Sequence, residues 1–220
     1  METTERNARE MMRERTLVLV KPDGVMRGLT CQILQRFEQA GLKIVGLKIL
    51  RTTRSQLDNH FPQSEEWILG MGQKTLDTCA EYDIDPMEIL NTRDPREIGE
   101  IIKEWNYLYL MMGPVVAVVF EGIHAIDVVR KLVGHTLPYR ADPGTIRGDF
   151  SINSPDLANV AGSACKNLVH ASANREEAEQ EIQCWFSQKE LISWERADEF
   201  LMFLLGENIE HTEQKEVNHD

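Results

Sequence analysis

The run Asn167-Leu-Val-His170-Ala-Ser172 ends a short apolar stretch on a histidine, with a hydroxyl two residues later. An imidazole placed so can attack an electrophile through one nitrogen while a neighbour orients the other. Its reference pKa of about 6.5 leaves much of it neutral near pH 7, so no base is needed to free a lone pair. Asn174 opens a helix directly afterwards, with Glu177 spaced for a capping box. Glu181 falls about two turns into that helix, where it can face back toward the strand end.

Cations suited to an anionic substrate are dispersed along the chain. Lys21 ends the first strand, held by the turn Pro22-Asp23-Gly24. Arg130 lies on a helix with Thr136 just past its end. Arg147 lies in Gly144-Thr-Ile-Arg-Gly-Asp149, where glycines permit close backbone approach. There is no Walker A pattern, so a polyphosphate would be gripped by separate side chains, a task that suits the bidentate donors of arginine. Arg147-Gly148-Asp149 also spells a cell-adhesion tripeptide, which carries little weight in a cytosolic chain. His60, His124 and His135 have no comparable surroundings and read as surface or structural residues.

The elements that must position these groups follow from periodicity. Residues 16–20, 42–50, 113–120 and 167–171 read as strands, and the unbroken apolar run of the third implies burial on both faces or in the middle of a sheet. Residues 29–40, 123–133 and 174–186 read as amphipathic helices, the first two stopped by Gly41 and Gly134. Residues 55–60 suggest a short helix. Residues 64–104 look like a separate helical elaboration, with helices at 65–72, 75–82, 86–90 and 95–105. Residues 135–166 form a long polar stretch bearing glycine and proline, a length uncommon without a task. Without the elaboration the order is strand, helix, strand, strand, helix, strand, helix. That is an α+β sandwich on the ferredoxin-like βαββαβ plan: a four-stranded antiparallel sheet with two helices on one face. One domain is expected over 1–206, with the helical insert at about 64–104 and a C-terminal extension. A polar, disordered tail is expected over 207–220.

Composition narrows the class. Hydrophobic content of 42% with 27% charged residues is ordinary for a globular chain, and 220 residues can bury a real core. A formal charge of −12 argues against nucleic acid as a partner, although local arginines can still hold an anion. Cys31, Cys79, Cys165 and Cys184 are widely spaced without a CxxC pair, so neither a zinc site nor a disulfide framework is expected. Residues 1–15 carry no apolar signal segment, and the apolar cluster at 200–205 is too short to span a bilayer. The expectation is a soluble, cytoplasmic protein without a membrane partner.

Thr16-Leu-Val-Leu-Val-Lys-Pro-Asp-Gly-Val25 with Arg27-Gly28 is followed in order by further motifs. These are Ile33-Leu-Gln-Arg-Phe-Glu38, Gly113-Pro-Val-Val116, Pro143-Gly-Thr-Ile-Arg-Gly-Asp-Phe150, the His170 run and Glu181-Ile-Gln-Cys-Trp-Phe186. Together they resemble the nucleoside diphosphate kinase family, over roughly residues 15–63 and 105–195. The resemblance implies ping-pong transfer of a γ-phosphate, typically from ATP, to a nucleoside diphosphate through a phosphohistidine. His170 matches the nucleophile, and Ser172 and Glu181 match groups around its ring. Arg130, Thr136 and Arg147 would grip the phosphates. Lys21 and Asn167 would hold the sugar and help the transferring group, and Phe61 matches a family aromatic near the phosphates. Mg²⁺ would be held mainly by phosphate oxygens, with no direct protein ligand. Nucleoside tri- and diphosphates would be the partners, and the assembly a homo-hexamer or homo-tetramer built from dimers.

The chain also departs from that family. Ala171 stands where the family has a glycine that can use positive φ, and Ala173 stands where it has a carboxylate. The loop 151–166 is longer than usual. The insert falls in the helical hairpin that walls the nucleotide cleft and supplies the stacking aromatic. Trp67, Trp105 and Tyr109 are candidates for that stacking, though each also reads as core, and the insert is expected to cover the base end of the cleft. These departures motivate a second reading, a nucleotide-binding regulatory protein on the same fold with weak or no turnover.

Overall fold

The computed structural model describes residues 12–198. In chain order the strands and α-helices are β1 (Arg13–Val20), α1 (Pro22–Met26), α2 (Thr30–Gln39), β2 (Lys43–Arg51), α3 (Arg54–His60), α4 (Glu65–Glu81), α5 (Pro86–Leu90) and α6 (Pro95–Met111). They continue with β3 (Pro114–Ile123), α7 (Ala125–Val133), α8 (Ile146–Phe150), α9 (Pro155–Val160), β4 (Val169–Ala171) and α10 (Arg175–Trp185). The apolar stretch 200–205 and the polar tail lie outside the described residues.

The two most apolar strands take the centre of the sheet. β1 pairs antiparallel with β3, Val18 opposite Val118, and β4 adds to the far side of β1 with His170 opposite Leu19. β2 adds to the far side of β3, giving the antiparallel order β2-β3-β1-β4. This is the expected ferredoxin-like sheet, and β3 sits inside it as its unbroken apolar run required.

Side chains alternate across the strands, so each central strand feeds two cores. On one face Val18, Val20, Val116, Val118 and Phe120 meet Ile33 and Phe37 of α2 and Val129 and Val133 of α7. On the other Leu17, Leu19, Val115, Ala117 and Val119 meet Leu57 of α3, Tyr107 and Leu110 of α6, and Ile182 and Trp185 of α10. Helices therefore cover both faces. The expectation of two helices on one face described only half of the packing, because β1 and β3 are apolar on both sides.

Three local expectations also change. Pro22-Asp23-Gly24 is not a free turn but the first turn of α1, with Lys21 as its N-cap and Pro22 at the first helical position. Residues 65–81 form one helix rather than two. Gly72 does not break it, because this is where α4 touches α6: a Cβ at Gly72 would lie 1.7 Å from the Pro95 carbonyl oxygen. Gly99 makes the reciprocal contact, its Cβ position 2.1 Å from the Ile68 carbonyl oxygen. The polar stretch after α7 folds into a 3₁₀ turn at Pro138–Arg140, then α8 and α9. All four cysteines are free thiols, and no helix among the described residues is long and apolar enough to cross a membrane.

Candidate active site

His170 owes its position to a left-handed residue two places before it. Leu168 has φ +67°, a region that a residue with a Cβ adopts only when its surroundings enforce it. Here they do. The Leu168 N–H donates to Asp23 Oδ2 at 3.2 Å, and its carbonyl accepts from the Lys21 N–H at 2.8 Å. Asp23 is fixed in turn by the Tyr109 hydroxyl, which donates to Oδ1 at 2.6 Å. The same turn brings Asn167 to Lys21, whose ammonium donates to Oδ1 at 2.8 Å. The carboxylate of the Lys-Pro-Asp-Gly motif thus shapes the loop that leads into the histidine strand.

The His170 ring lies between a carboxylate and a second histidine. Glu181 Oε1 is 2.7 Å from Nε2, off the line of an N–H there, so the contact is short but is not an aligned hydrogen bond. The Ser172 hydroxyl donates to Glu181 Oε2 at 2.6 Å and accepts from the Leu17 N–H at 3.3 Å. His60 stands edge-on to His170 with centroids 4.7 Å apart. Its Nδ1 accepts from Trp185 Nε1–H at 3.3 Å and lies 3.4 Å from Glu181 Oε1. The reading of His60 as a residue without comparable surroundings is therefore corrected: it is buried against the candidate nucleophile. Phe61 follows it in sequence, which was the one signal available.

Electrostatics keeps both imidazoles neutral. Burial, and then the nearby Lys21 cation, pushes His170 down to about 3. Burial, and then His170, pushes His60 down to about 3. Burial raises the Glu181 carboxyl, while His60 and the Ser172 hydroxyl pull it back. The His170 side chain nevertheless keeps 21% of its surface open. With Nε2 buried against Glu181, the ring has Nδ1 left for the cleft.

That cleft is cationic. Lys21, Arg130, Arg147 and Lys74 line it with His170, Thr136, Asn167 and Trp67, and Glu177 is the only carboxylate among the described lining residues. Arg147 is buried and spends Nε, Nη1 and Nη2 on the carbonyls of Asn167, Gly134 and Val169 at 3.1, 3.0 and 2.7 Å. Burial lowers it to about 10. Burial, with Arg147 beside it, lowers Lys21 to about 8. Asn167 is held from its other end as well, its amide donating to the Thr136 carbonyl at 3.0 Å. Arg130 is exposed on the last turn of α7.

A second cleft of about 640 Å³ opens from the first and shares Lys21, Lys74, Thr136 and Asn167 with it. Its walls are Met71, Thr75 and Thr78 of α4, Ile102, Trp105 and Asn106 of α6, and residues between α7 and β4. The insert thus supplies part of this cleft's wall, through α4 and the first part of α6.

The structure thus gathers Lys21, Arg130, Thr136, Arg147, Asn167 and His170 around one cleft, with Ser172 and Glu181 behind the histidine. It does not bring Phe61 to the lining. Phe61 stacks between Trp67 and Tyr107, at 5.7 and 5.6 Å, and Trp67 reaches the cleft instead. Trp67 and Trp105 line clefts rather than the core, whereas Tyr109 is buried as read. Ala171 is an ordinary strand residue paired with Val18 and lies outside the left-handed region, so alanine fits without strain. Glu177 supplies a carboxylate beside Ala173 and accepts that residue's N–H at 2.9 Å. The cap of α10 is accordingly shifted: Asn174 accepts from the Glu177 N–H, but Glu177 reaches back to residue 173 rather than to 174.

Comparison with known proteins agrees with this geometry. The family model described as nucleoside diphosphate kinase matches residues 14–68 and 104–191. A nucleoside diphosphate kinase of Pyrobaculum aerophilum is 49% identical over 179 residues, covering 81% of this chain and 98% of that protein. The crystal structure of an NDP kinase from the same organism superposes with a TM-score of 0.80 at 48% identity, covering 82% of this chain and all of that one. A Borrelia burgdorferi nucleoside-diphosphate kinase, solved as a transition state mimic with vanadate and ADP, gives a TM-score of 0.69 at 35% identity. That match covers 87% of this chain and 97% of the other.

Proposed function

The chain belongs to the nucleoside diphosphate kinase family and carries that phosphotransferase activity, and we propose that His170 is the residue through which the phosphoryl group passes. The single observation that carries this assignment is the ring's setting, with Nε2 buried 2.7 Å from Glu181 and the exposed part of the ring in a cleft lined by cations. In the first half-reaction the Nδ1 lone pair attacks the γ-phosphorus of a nucleoside triphosphate. The bond to the bridging oxygen breaks, and the nucleoside diphosphate leaves with its electron pair. Glu181, itself fixed by the Ser172 hydroxyl, lies against Nε2 and stabilises the positive charge that develops on the ring. In the second half-reaction a terminal oxygen of another nucleoside diphosphate attacks the phosphohistidine, and Nδ1 regains its lone pair. Neither half needs a base, because the imidazole is neutral and the acceptor oxygen is already ionised.

Lys21, Arg130, Thr136 and Arg147 take the phosphates, with Asn167 fixing the Lys21 ammonium toward the transferring group. Phosphoryl transfer depends mainly on such positioning and charge stabilisation. Mg²⁺ fits this site as a metal carried on the nucleotide, since one carboxylate among the described lining residues is too few for a protein-built magnesium cage. When bound, it would be carried into the cleft of Lys21, Arg130 and Arg147 on the nucleotide and would neutralise part of the phosphate charge. ADP in the Borrelia burgdorferi relative supports nucleotide as the occupant.

The insert belongs to the same domain, because α4 and α6 pack on each other and α6 packs on the sheet. Cytoplasmic residence accords with four free thiols. A homo-oligomer built from dimers accords with the half of the β2 edge that no described residue covers. Residues 192–194 cover its start at Ile44 and Val45, while Leu47 and Ile49 remain 55% and 66% exposed. Light scattering that returned a monomer would overturn that assembly.

Incubation with γ-labelled ATP tests the reading of His170. We expect acid-labile, base-stable label at His170 that GDP removes, and no label in His170→Gln. Label that survives in that variant, or that GDP cannot chase, would overturn the assignment.

A further inference from the structure

Lys74 lies in the insert, on α4, in the segment 69–103 that the family model leaves unmatched. It is exposed, its ammonium makes no ion pair among the described residues, and it borders both clefts where they join. The helix aims it there by periodicity. Trp67, Met71, Lys74 and Thr78 follow one another at three- and four-residue steps, so they share the face that looks into the clefts. That face is fixed rather than free. Gly72 and Gly99 seat α4 on α6, and at the far end Glu81 pairs with Arg140 at 2.5 Å while the Tyr82 hydroxyl meets that of Tyr139 at 2.9 Å.

On the side of the first cleft Lys74 joins Lys21, Arg130 and Arg147 against Glu177 alone, while Asp77 and Glu81 of its own helix line the second cleft. A polyanion lying in the first cleft relieves the repulsion among these four cations. We infer that Lys74 is a further nucleotide-binding residue, donated by the insert to the diphosphate that triphosphate donor and diphosphate acceptor have in common. This rests on the reading of the His170 cleft as the phosphoryl site. Lys74 stands away from the histidine end, at the junction with the second cleft. Its contact is therefore with the part of the nucleotide that does not transfer, and it is made equally in ground and transition states. Such a contact acts on KM rather than on kcat. The insert then carries a charge that draws the nucleotide against the wall.

The test is steady-state kinetics on the full chain with ATP and GDP. A charge-assisted contact to phosphate predicts that Lys74→Met raises both KM values by roughly 3- to 10-fold, with kcat changed by no more than about twofold. Lys74→Arg should restore most of the loss, and competition by adenosine, which has no phosphate, should be unaffected. Arg96→Met removes the same charge from the insert at a site away from both clefts and should leave KM alone. Unchanged KM in Lys74→Met overturns the inference. So does an equal rise in Arg96→Met, which would make the effect long-range, or a loss that arginine does not rescue and adenosine shares, which would make it packing. Wild-type protein without label at His170 would overturn the underlying site reading. Labelled wild type with unaltered Lys74→Met kinetics would overturn the Lys74 contact alone.

Discussion

Lys21 shows how much a single residue's setting decides. Its ammonium is partly buried, hydrogen-bonded to Asn167 and 5.3 Å from the centre of the Tyr109 ring. Burial and the Arg147 cation together lower it to about 8, so in the empty enzyme its charge is lost as the pH rises through that value. Since kcat/KM reports the free enzyme's groups, it should fall on the alkaline side with an apparent pKa near 8. Lys21→Arg should move that limb upward by keeping the charge, at some loss of rate from altered geometry. A pH profile of kcat/KM for the two proteins checks this, and coincident alkaline limbs would exclude Lys21 as their source. The lysine itself was legible in the motif around Pro22-Asp23-Gly24. Its depressed basicity was not, because Arg147 and Asn167 come from distant parts of the chain.

At the scale of elements, the insert depends on two helices in backbone contact. Gly72 and Gly99 leave no room for a Cβ against the carbonyls of Pro95 and Ile68. Gly99→Ala must therefore push α4 away from α6, and overpacking of this kind typically costs about 1–3 kcal/mol. We expect a lower thermal midpoint, faster amide exchange in α4 and α6, and a raised KM for nucleotides as Trp67 and Lys74 lose their position. Unchanged exchange in α4 would show that the contact does not hold the helix. The sequence marked the helical character of this segment and its proline starts, yet it suggested a break near Gly72. A helix-weakening glycine and a helix-contact glycine look alike until the partner helix is in place.

For the whole molecule, the two buried histidines tie stability to pH. Each has a folded pKa of about 3 against an ordinary value of 6.5, so below about pH 6.5 the unfolded chain binds protons that the folded chain refuses. Their contribution is fully present above pH 6.5 and is lost progressively as the pH falls toward 3. Urea unfolding midpoints should fall between pH 7 and pH 5. His60→Asn, which removes one of the two sites, should show a shallower dependence even if less stable at pH 7. An equal slope in wild type and variant would show that His60 does not titrate differently on folding.

The sequence by itself determined the sheet, its antiparallel plan, the family likeness and most of the cleft's side chains. A short, β-branched apolar run such as 113–120 suits a strand buried on both faces, and ordered motifs survive in the linear chain. It did not determine which distant groups would meet. His60 beside His170, Trp67 in the cleft in place of Phe61, the left-handed Leu168 held by Asp23, and Lys74 among the phosphate cations all arise where elements far apart in sequence pack together. Periodicity fixes which face of a helix is apolar, but only the packed structure fixes what that face and its neighbours look upon.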